Sequence, residues 1–187
     1  MFITLEGLDG SGKTTLARGL ASALGGAVLR EPGGEPLAEQ IRALVKSGEA
    51  TPRAEALLFA AARAQLVDRE LRPRLTNHET LILDRFVDSS LAYQGAGRGL
   101  DGVDVINAFA TGGLTPDHTL YLRIDAATAL QRIGDRGERD HFETLDFLQR
   151  VADGYDALAA RHPERWITLD ADQPPDDVLR QALAALA

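Results

Sequence analysis

Short apolar runs recur along the chain, separated by longer stretches in which apolar residues return every third or fourth position. Phe2–Glu6, Ala27–Arg30, Thr80–Asp84, Thr119–Ile124 and Trp166–Asp170 are each about five residues long and rich in Leu, Ile, Val and Thr. That length suits strands better than helices. Their nearly continuous apolar character predicts a parallel sheet covered on both faces, because a sheet with one wet face would alternate. Helices are expected over Lys13–Leu24, Pro36–Lys46, Asp88–Tyr93, Val103–Ala110, Ala126–Arg132, Leu145–Arg161 and Pro175–Leu186. Another is marked by Ala54, Leu57, Leu58, Ala61 and Ala62, which fall at i, i+3, i+4, i+7 and i+8 and predict one buried stripe. Thr51-Pro52 supplies its N-cap and a first-turn proline. Strands alternating with helices indicate a doubly wound α/β fold, a five-stranded parallel sheet with helices on both faces. No repeat, low-complexity tract or linker divides the sequence, so residues 1–187 are read as one domain.

Composition narrows the function. The 187 residues suffice for a hydrophobic core, and 44% apolar content is ordinary. The longest apolar run, Ala56 to Ala62, is about seven residues, against the ~20 that a membrane-spanning helix needs. No membrane partner is expected. Met1–Glu6 has no basic segment ahead of an apolar one, so it does not read as a signal peptide, and a cytoplasmic location is expected. The lack of cysteine excludes disulfides, thiolate zinc sites and cysteine nucleophiles. With 20 basic and 28 acidic residues the net charge is −8, which argues against a nucleic-acid polymer as partner. A mononucleotide needs only local positive charge, so the placement of the arginines matters more than the total. His78, His118, His141 and His162 lack ligand spacing, and no metal site built from protein side chains alone is expected.

One motif carries specific chemistry. Gly7-Leu8-Asp9-Gly10-Ser11-Gly12-Lys13-Thr14 fits G-x-x-x-x-G-K-[ST]. Its glycines let the backbone wrap tightly, so that successive N–H groups point at phosphate oxygens. A helix opening near Lys13 adds the positive end of its dipole. Lys13 reaches the β- and γ-phosphates, and the Thr14 hydroxyl is a Mg²⁺ ligand. The motif follows an apolar strand and opens a helical pattern, as this mechanism requires. It predicts a P-loop fold that binds ATP with Mg²⁺ along Gly7–Thr15, and leaves the acceptor unnamed.

Other constellations admit two readings each. Thr80–Asp84 is an apolar strand ending in Asp84-Arg85. An Asp at the C-terminal end of a parallel strand faces the ligand crevice and can hold Mg²⁺ through water; otherwise it is a surface ion pair. Beside the P-loop the first reading is favoured. Phe59 and Arg63 share a helical face, either to stack on a base and bond its edge or as a core Phe with a surface Arg. Spacing alone favours the latter. Arg132-Ile133-Gly134-Asp135-Arg136-Gly137-Glu138-Arg139-Asp140 reads equally as a lid that closes over phosphates or as a solvated, salt-bridged loop. Glu31-Pro32-Gly33-Gly34 is either a turn or a segment that brings Glu31 to the crevice.

Together these residues resemble the bacterial thymidylate kinases, nucleoside monophosphate kinases for dTMP, over nearly the whole chain. The resemblance rests on Glu6–Thr15, Arg30–Gly34, Phe59–Arg63, the arginine-rich segment before Phe142-Glu143, and above all Asp84-Arg85-Phe86 through Ser89-Ser90 to Ala92-Tyr93-Gln94-Gly95. It implies phosphorylation of dTMP to dTDP with ATP and Mg²⁺, on the route to dTTP, by a homodimer. It also implies roles. Phe59 stacks on thymine, Arg63 bonds a thymine carbonyl and Arg85 grips the dTMP phosphate. Ser89, Ser90 and Gln94 line the base pocket, Tyr93 lies where a 2′-hydroxyl would project, and Asp9 contacts the acceptor's sugar or phosphate environment. Some family members carry an arginine within the P-loop. Leu8, Asp9, Gly10 and Ser11 include none, so this chain resembles the subgroup whose catalytic arginine is on the lid (about residues 132–143), here Arg136 or Arg139.

A phosphate acceptor is already largely ionised at neutral pH and needs no general base, consistent with the absence of an obvious one. Catalysis then rests on positioning and charge neutralisation by Lys13, Mg²⁺ and the lid arginines. A deoxyribonucleoside kinase acting on a 5′-hydroxyl is the nearest rival, with Glu31 as base. A P-loop ATPase switch is a more distant one.

Overall fold

The computed structural model describes residues 1–34, 36–134 and 144–187. Along the chain they form β1 (Phe2–Glu6), α1 (Lys13–Leu24), β2 (Ala27–Arg30), α2 (Pro36–Lys46), α3 (Pro52–Leu66), α4 (Arg72–Thr76), β3 (Leu81–Asp84), α5 (Val87–Ser90), α6 (Val103–Thr111), β4 (His118–Arg123), α7 (Ala126–Gly134), α8 (Leu145–Arg161), β5 (Trp166–Asp170) and α9 (Pro175–Leu186). The sheet has the order β2-β3-β1-β4-β5, with every pairing parallel. The expected α/β fold with five parallel strands is the one observed.

Alternate strand residues feed opposite faces. Ile3, Leu5, Ile82, Leu120 and Leu122 join one core with residues of α1, α7, α8 and α9. Phe2, Leu81 and Leu83 join another with Leu66, Val67, Leu71 and Phe86. Strands walled on both sides have no wet face, which is why their sequences do not alternate. Among the described residues, no helix is long and apolar enough to cross a membrane.

Two expectations are corrected, and one helix runs on past its apolar stripe. The helix expected over Asp88–Tyr93 is the short α5 followed by a π-helical segment, Leu91–Gly97. A Cβ on Gly97 would lie 2.8 Å from both Phe147 and Val151, so glycine lets α8 press against this wide turn. Helix α3 does not stop at its apolar stripe but continues through a π turn, Val67–Leu71, into α4. The wide turn lies just upstream of Pro73, which has no N–H to give a regular turn. The stripe itself is misassigned: Leu57 and Ala61 are exposed, whereas Glu55, Ala56, Ala60, Ala62, Arg63 and Leu66 are buried. Apolar spacing names a helix but does not fix its rotation when a polar-lined cavity adjoins it. Strands β3 and β4 each lie one residue from their expected bounds, ordinary for element ends.

From β1 the chain crosses to β2 and β3 on one side and then to β4 on the other. The carboxyl end of β1 is therefore a switch point, where α/β sheets open a ligand crevice.

Candidate active site

The loop after β1 is built on glycine geometry. Gly7 has φ 142°, and a Cβ there would meet the Leu122 carbonyl oxygen at 2.6 Å. Gly12, with φ 94°, is the N-cap of α1 and supplies no capping side chain. The first N–H groups of α1 are thus left for an anion. Lys13 Nζ donates to the carbonyls of Gly7 (3.0 Å) and Leu8 (2.8 Å), folded back across the loop. Burial, then the nearby Arg85 charge, lowers its pKa to about 8. The Leu8 side chain is in the core, so only its backbone is available to a ligand. Thr14 Oγ1 donates to Asp84 Oδ2 at 3.0 Å, which joins the P-loop to the end of β3.

Arg85 follows directly, in the left-handed region at φ 71°. For a non-glycine residue that conformation carries strain and is held only by surrounding contacts. Glu6, the last residue of β1 and fully buried, accepts from Phe86 N (2.9 Å), Ser89 Oγ (2.5 Å) and Tyr155 Oη (3.1 Å). It pins the turn and sets the hydroxyls. Arg85 Nη1 in turn donates to Ser89 Oγ (3.1 Å), while Nη2 donates to Asp9 Oδ1 (2.7 Å) and Tyr93 Oη (3.2 Å). Burial opposes the Arg85 charge, but the Asp9 carboxylate and the Tyr93 and Tyr155 hydroxyls hold its pKa well above the ordinary value. The Glu6 pKa is raised too, but in favour of the neutral acid: burial, then the charge of Asp88, pushes it up to about 7.

These groups border a cavity of about 640 Å³ whose far wall is α3. Glu55, Phe59 and Arg63, four residues apart, all line it. Phe59 and Arg63 do share a face, and that face turns to the cavity. The Arg63 donors are fully used. Nε and Nη2 meet Glu31 Oε2 at 2.8 and 2.6 Å; Nη2 also donates to the Phe86 carbonyl, and Nη1 donates to Ser90 Oγ and Asn107 Oδ1. Glu31 is therefore at the crevice, not in a solvent turn. Its Oε1 is buried without a hydrogen-bond partner among the described residues, and burial raises its pKa against the pull of Arg63. Gln94 donates through Nε2 to Glu55 Oε1 at 2.9 Å, and the Arg98 guanidinium holds the same carboxylate at 3.1 and 2.8 Å.

A smaller cleft, about 310 Å³, opens on the other side of the P-loop between Gly10, Ser11, Thr15, Arg132 and the segment Ala171–Pro175. Arg132 is tied to its wall through the Ala171 carbonyl and Asp172, both at 3.0 Å. Of the residues singled out in the sequence, Asp9, Gly10, Gly12, Lys13, Thr14, Thr15, Phe59, Arg63, Asp84, Arg85, Ser89, Ser90, Tyr93 and Gln94 border the main cavity. Arg136 and Arg139 lie outside the described residues. The sequence reading missed Glu55, Arg98, Asn107, Tyr155, Glu6 as the anchor of Arg85, and the smaller cleft. Only Glu6 left a signal, a charged residue closing an otherwise apolar strand.

The family model for thymidylate kinase matches residues 5–182. The chain belongs to the thymidylate kinase family. It is 46% identical to a thymidylate kinase of Deinococcus radiodurans over 198 residues, covering 100% of this chain and 96% of that one. It is 43% identical to one from Desulfovibrio desulfuricans over 205 residues, covering 100% and 94%. The crystal structure of thymidylate kinase from Ehrlichia chaffeensis superimposes with a TM-score of 0.84 at 31% identity, covering 100% of this chain and 98% of that one. The P-loop fold and the kinase class follow from that membership; the geometry above is this chain's own.

Proposed function

We propose that the chain transfers the γ-phosphoryl group of ATP to dTMP, giving ADP and dTDP for dTTP synthesis. One observation carries the reading: Lys13, Arg85, Asp9 and the Thr14–Asp84 pair meet at one end of a single cavity, and Phe59, Arg63 and Gln94 line the same cavity. A phosphate-handling end and a base-sized aromatic and amide wall suit a nucleoside monophosphate. The relatives' thymidylate kinase activity supports dTMP as that acceptor, and neither a nucleoside kinase nor an ATPase switch is favoured.

The Arg85 guanidinium receives the acceptor phosphate while Ser89, Tyr93 and Asp9 hold it in place. Phe59 stacks on thymine. Arg63 reaches a thymine carbonyl by giving up one present partner, the cavity-lining Ser90 hydroxyl being available for exchange. Tyr93 stands where a ribose 2′-hydroxyl would project. Lys13 leaves the Gly7 and Leu8 carbonyls for the β- and γ-phosphates, and the purine and ribose of ATP occupy the smaller cleft beside Arg132. Arg136 and Arg139 supply the cation at the transferring phosphoryl. Thr14 and Asp84 offer hard oxygens of the kind that suit Mg²⁺ beside water and phosphate. Thr14 would hold the ion directly and Asp84 through water, and Mg²⁺ bound with ATP would supply positive charge against its phosphates. No base is required, since the attacking oxygen is an ionised phosphate oxygen.

We place the enzyme in the cytoplasm as a homodimer of single-domain chains. The pairing surface is the exposed apolar side of α3 and α6, where Leu57 is 52%, Val105 67% and Phe109 91% exposed. Unpartnered apolar surface of this kind marks an interaction face. Coupled ADP release with dTMP, dUMP, dGMP, AMP and thymidine offered separately tests the function. Turnover with dTMP well above the others is expected. Turnover of thymidine without dTMP would overturn it.

A further inference from the structure

We infer that Glu55 fixes the hydrogen-bond polarity of the acceptor pocket by orienting the Gln94 amide, so that the pocket selects a base carrying a ring N–H and rejects one carrying a bare ring nitrogen. The inference rests on the nucleotide-acceptor reading of this cavity.

A glutamine side chain has an accepting end and a donating end, and its neighbours decide which faces where. Gln94 is 5% exposed and lines the cavity on the π-helical segment Leu91–Gly97. Its Nε2 lies 2.9 Å from Glu55 Oε1. Arg98 grips Glu55 through both carboxylate oxygens, Nε to Oε1 at 3.1 Å and Nη2 to Oε2 at 2.8 Å. An ionised carboxylate only accepts. The NH₂ end of Gln94 must therefore face Glu55, because the reversed amide would set two acceptors against each other in a buried site. The end left over is the carbonyl Oε1, which has no partner among the described residues.

Glu55 sits four residues before Phe59 on the cavity face of α3, so the carboxylate that orients Gln94 and the ring that stacks on the base come from one rigid helix. An accepting Oε1 at that wall matches the lactam edge of thymine or uracil, whose N3 carries hydrogen. Cytosine presents an unprotonated N3 there and would set lone pair against lone pair. Glu55 touches no substrate in this scheme. It is a positioning residue acting through Gln94.

The test compares dTMP with 5-methyl-dCMP, which share the methyl group, sugar and phosphate and differ only along the base edge. Glu55→Gln replaces the accept-only group with one that can also donate, and frees the Gln94 amide to turn. The kcat/KM ratio of dTMP to 5-methyl-dCMP is expected to fall about tenfold or more, the worth of one hydrogen bond, mainly through KM, with ATP affinity unchanged. Glu55→Asp keeps the Arg98 pair but withdraws the carboxylate from Gln94, and should shift the ratio in the same direction. In a Gln94→Leu background, Glu55→Gln should leave the ratio as it finds it. A wild-type ratio in either folded Glu55 variant, or an undiminished effect in the Gln94→Leu background, overturns the inference. Calorimetric affinities for the two monophosphates give the same ratio without turnover. A wild-type protein that neither binds nor phosphorylates dTMP would refute the function itself, an outcome distinct from a failed Glu55 test.

Discussion

Replacing Glu6 with Gln probes the group that holds Arg85 in its strained turn, and its effect on stability can be worked out from the structure. Glu6 is wholly buried, and burial followed by the neighbouring Asp88 charge raises its pKa from 4.5 to about 7, against the opposing pull of Ser89, Arg85 and the Phe86 N–H. Across that interval the folded chain holds this proton more tightly than the unfolded chain does. Stability contributed by the protonated form is therefore complete below about pH 4.5 and is lost as pH rises through 7. Each pH unit of raised pKa is worth about 1.4 kcal/mol, so the loss is roughly 3 kcal/mol. Gln is neutral and of the same size. Its Oε1 can keep the Phe86 N–H bond, and its NH₂ can donate to the Ser89 or Tyr155 oxygen. Urea unfolding from pH 4.5 to 8 at constant ionic strength should show wild type losing roughly 3 kcal/mol relative to Glu6→Gln. A stability difference that stays constant over that range would refute the reasoning.

Arg85→Ala should weaken dTMP binding by about 10- to 100-fold, the worth of charge-assisted bonds to a phosphate, and leave ATP binding intact; equal losses for both ligands by calorimetry would remove Arg85 from the acceptor side. Arg85→Gly should bind dTMP as poorly as Arg85→Ala yet unfold at higher urea, by about 1 kcal/mol, because glycine relieves the positive φ. Arg136→Ala or Arg139→Ala should lower kcat by at least ~10²-fold, and wild-type kcat in both would take that segment out of the mechanism. Phe109→Asp should convert the dimer to monomer in sedimentation equilibrium, while an unchanged mass would place any pairing surface elsewhere.

What the sequence determined is local. The P-loop was legible because its glycines, lysine and threonine must be contiguous to wrap a phosphate, so spacing alone carries the mechanism. The strands were legible because a sheet covered on both faces leaves a continuous apolar record. Asp84-Arg85 was legible as the charged end of such a strand. Residues distant in sequence were not. Glu55 and Gln94 are 39 positions apart, Arg63 and Asn107 are 44 apart, and Glu6 and Tyr155 are 149 apart. No periodicity joins them; strand order and helix packing do. The rotation of α3 shows why. Its stripe of Ala and Leu predicted a helix correctly, but Ala is small enough to pack on several sides, so burial followed the cavity instead. The family resemblance pointed to Phe59 and Arg63 at the base, but only the tertiary structure decided that Glu55 shares their cavity wall and that all five Arg63 donors are already engaged. The phosphate cradle is a property of a short peptide segment; the pocket that chooses the acceptor is a property of the fold.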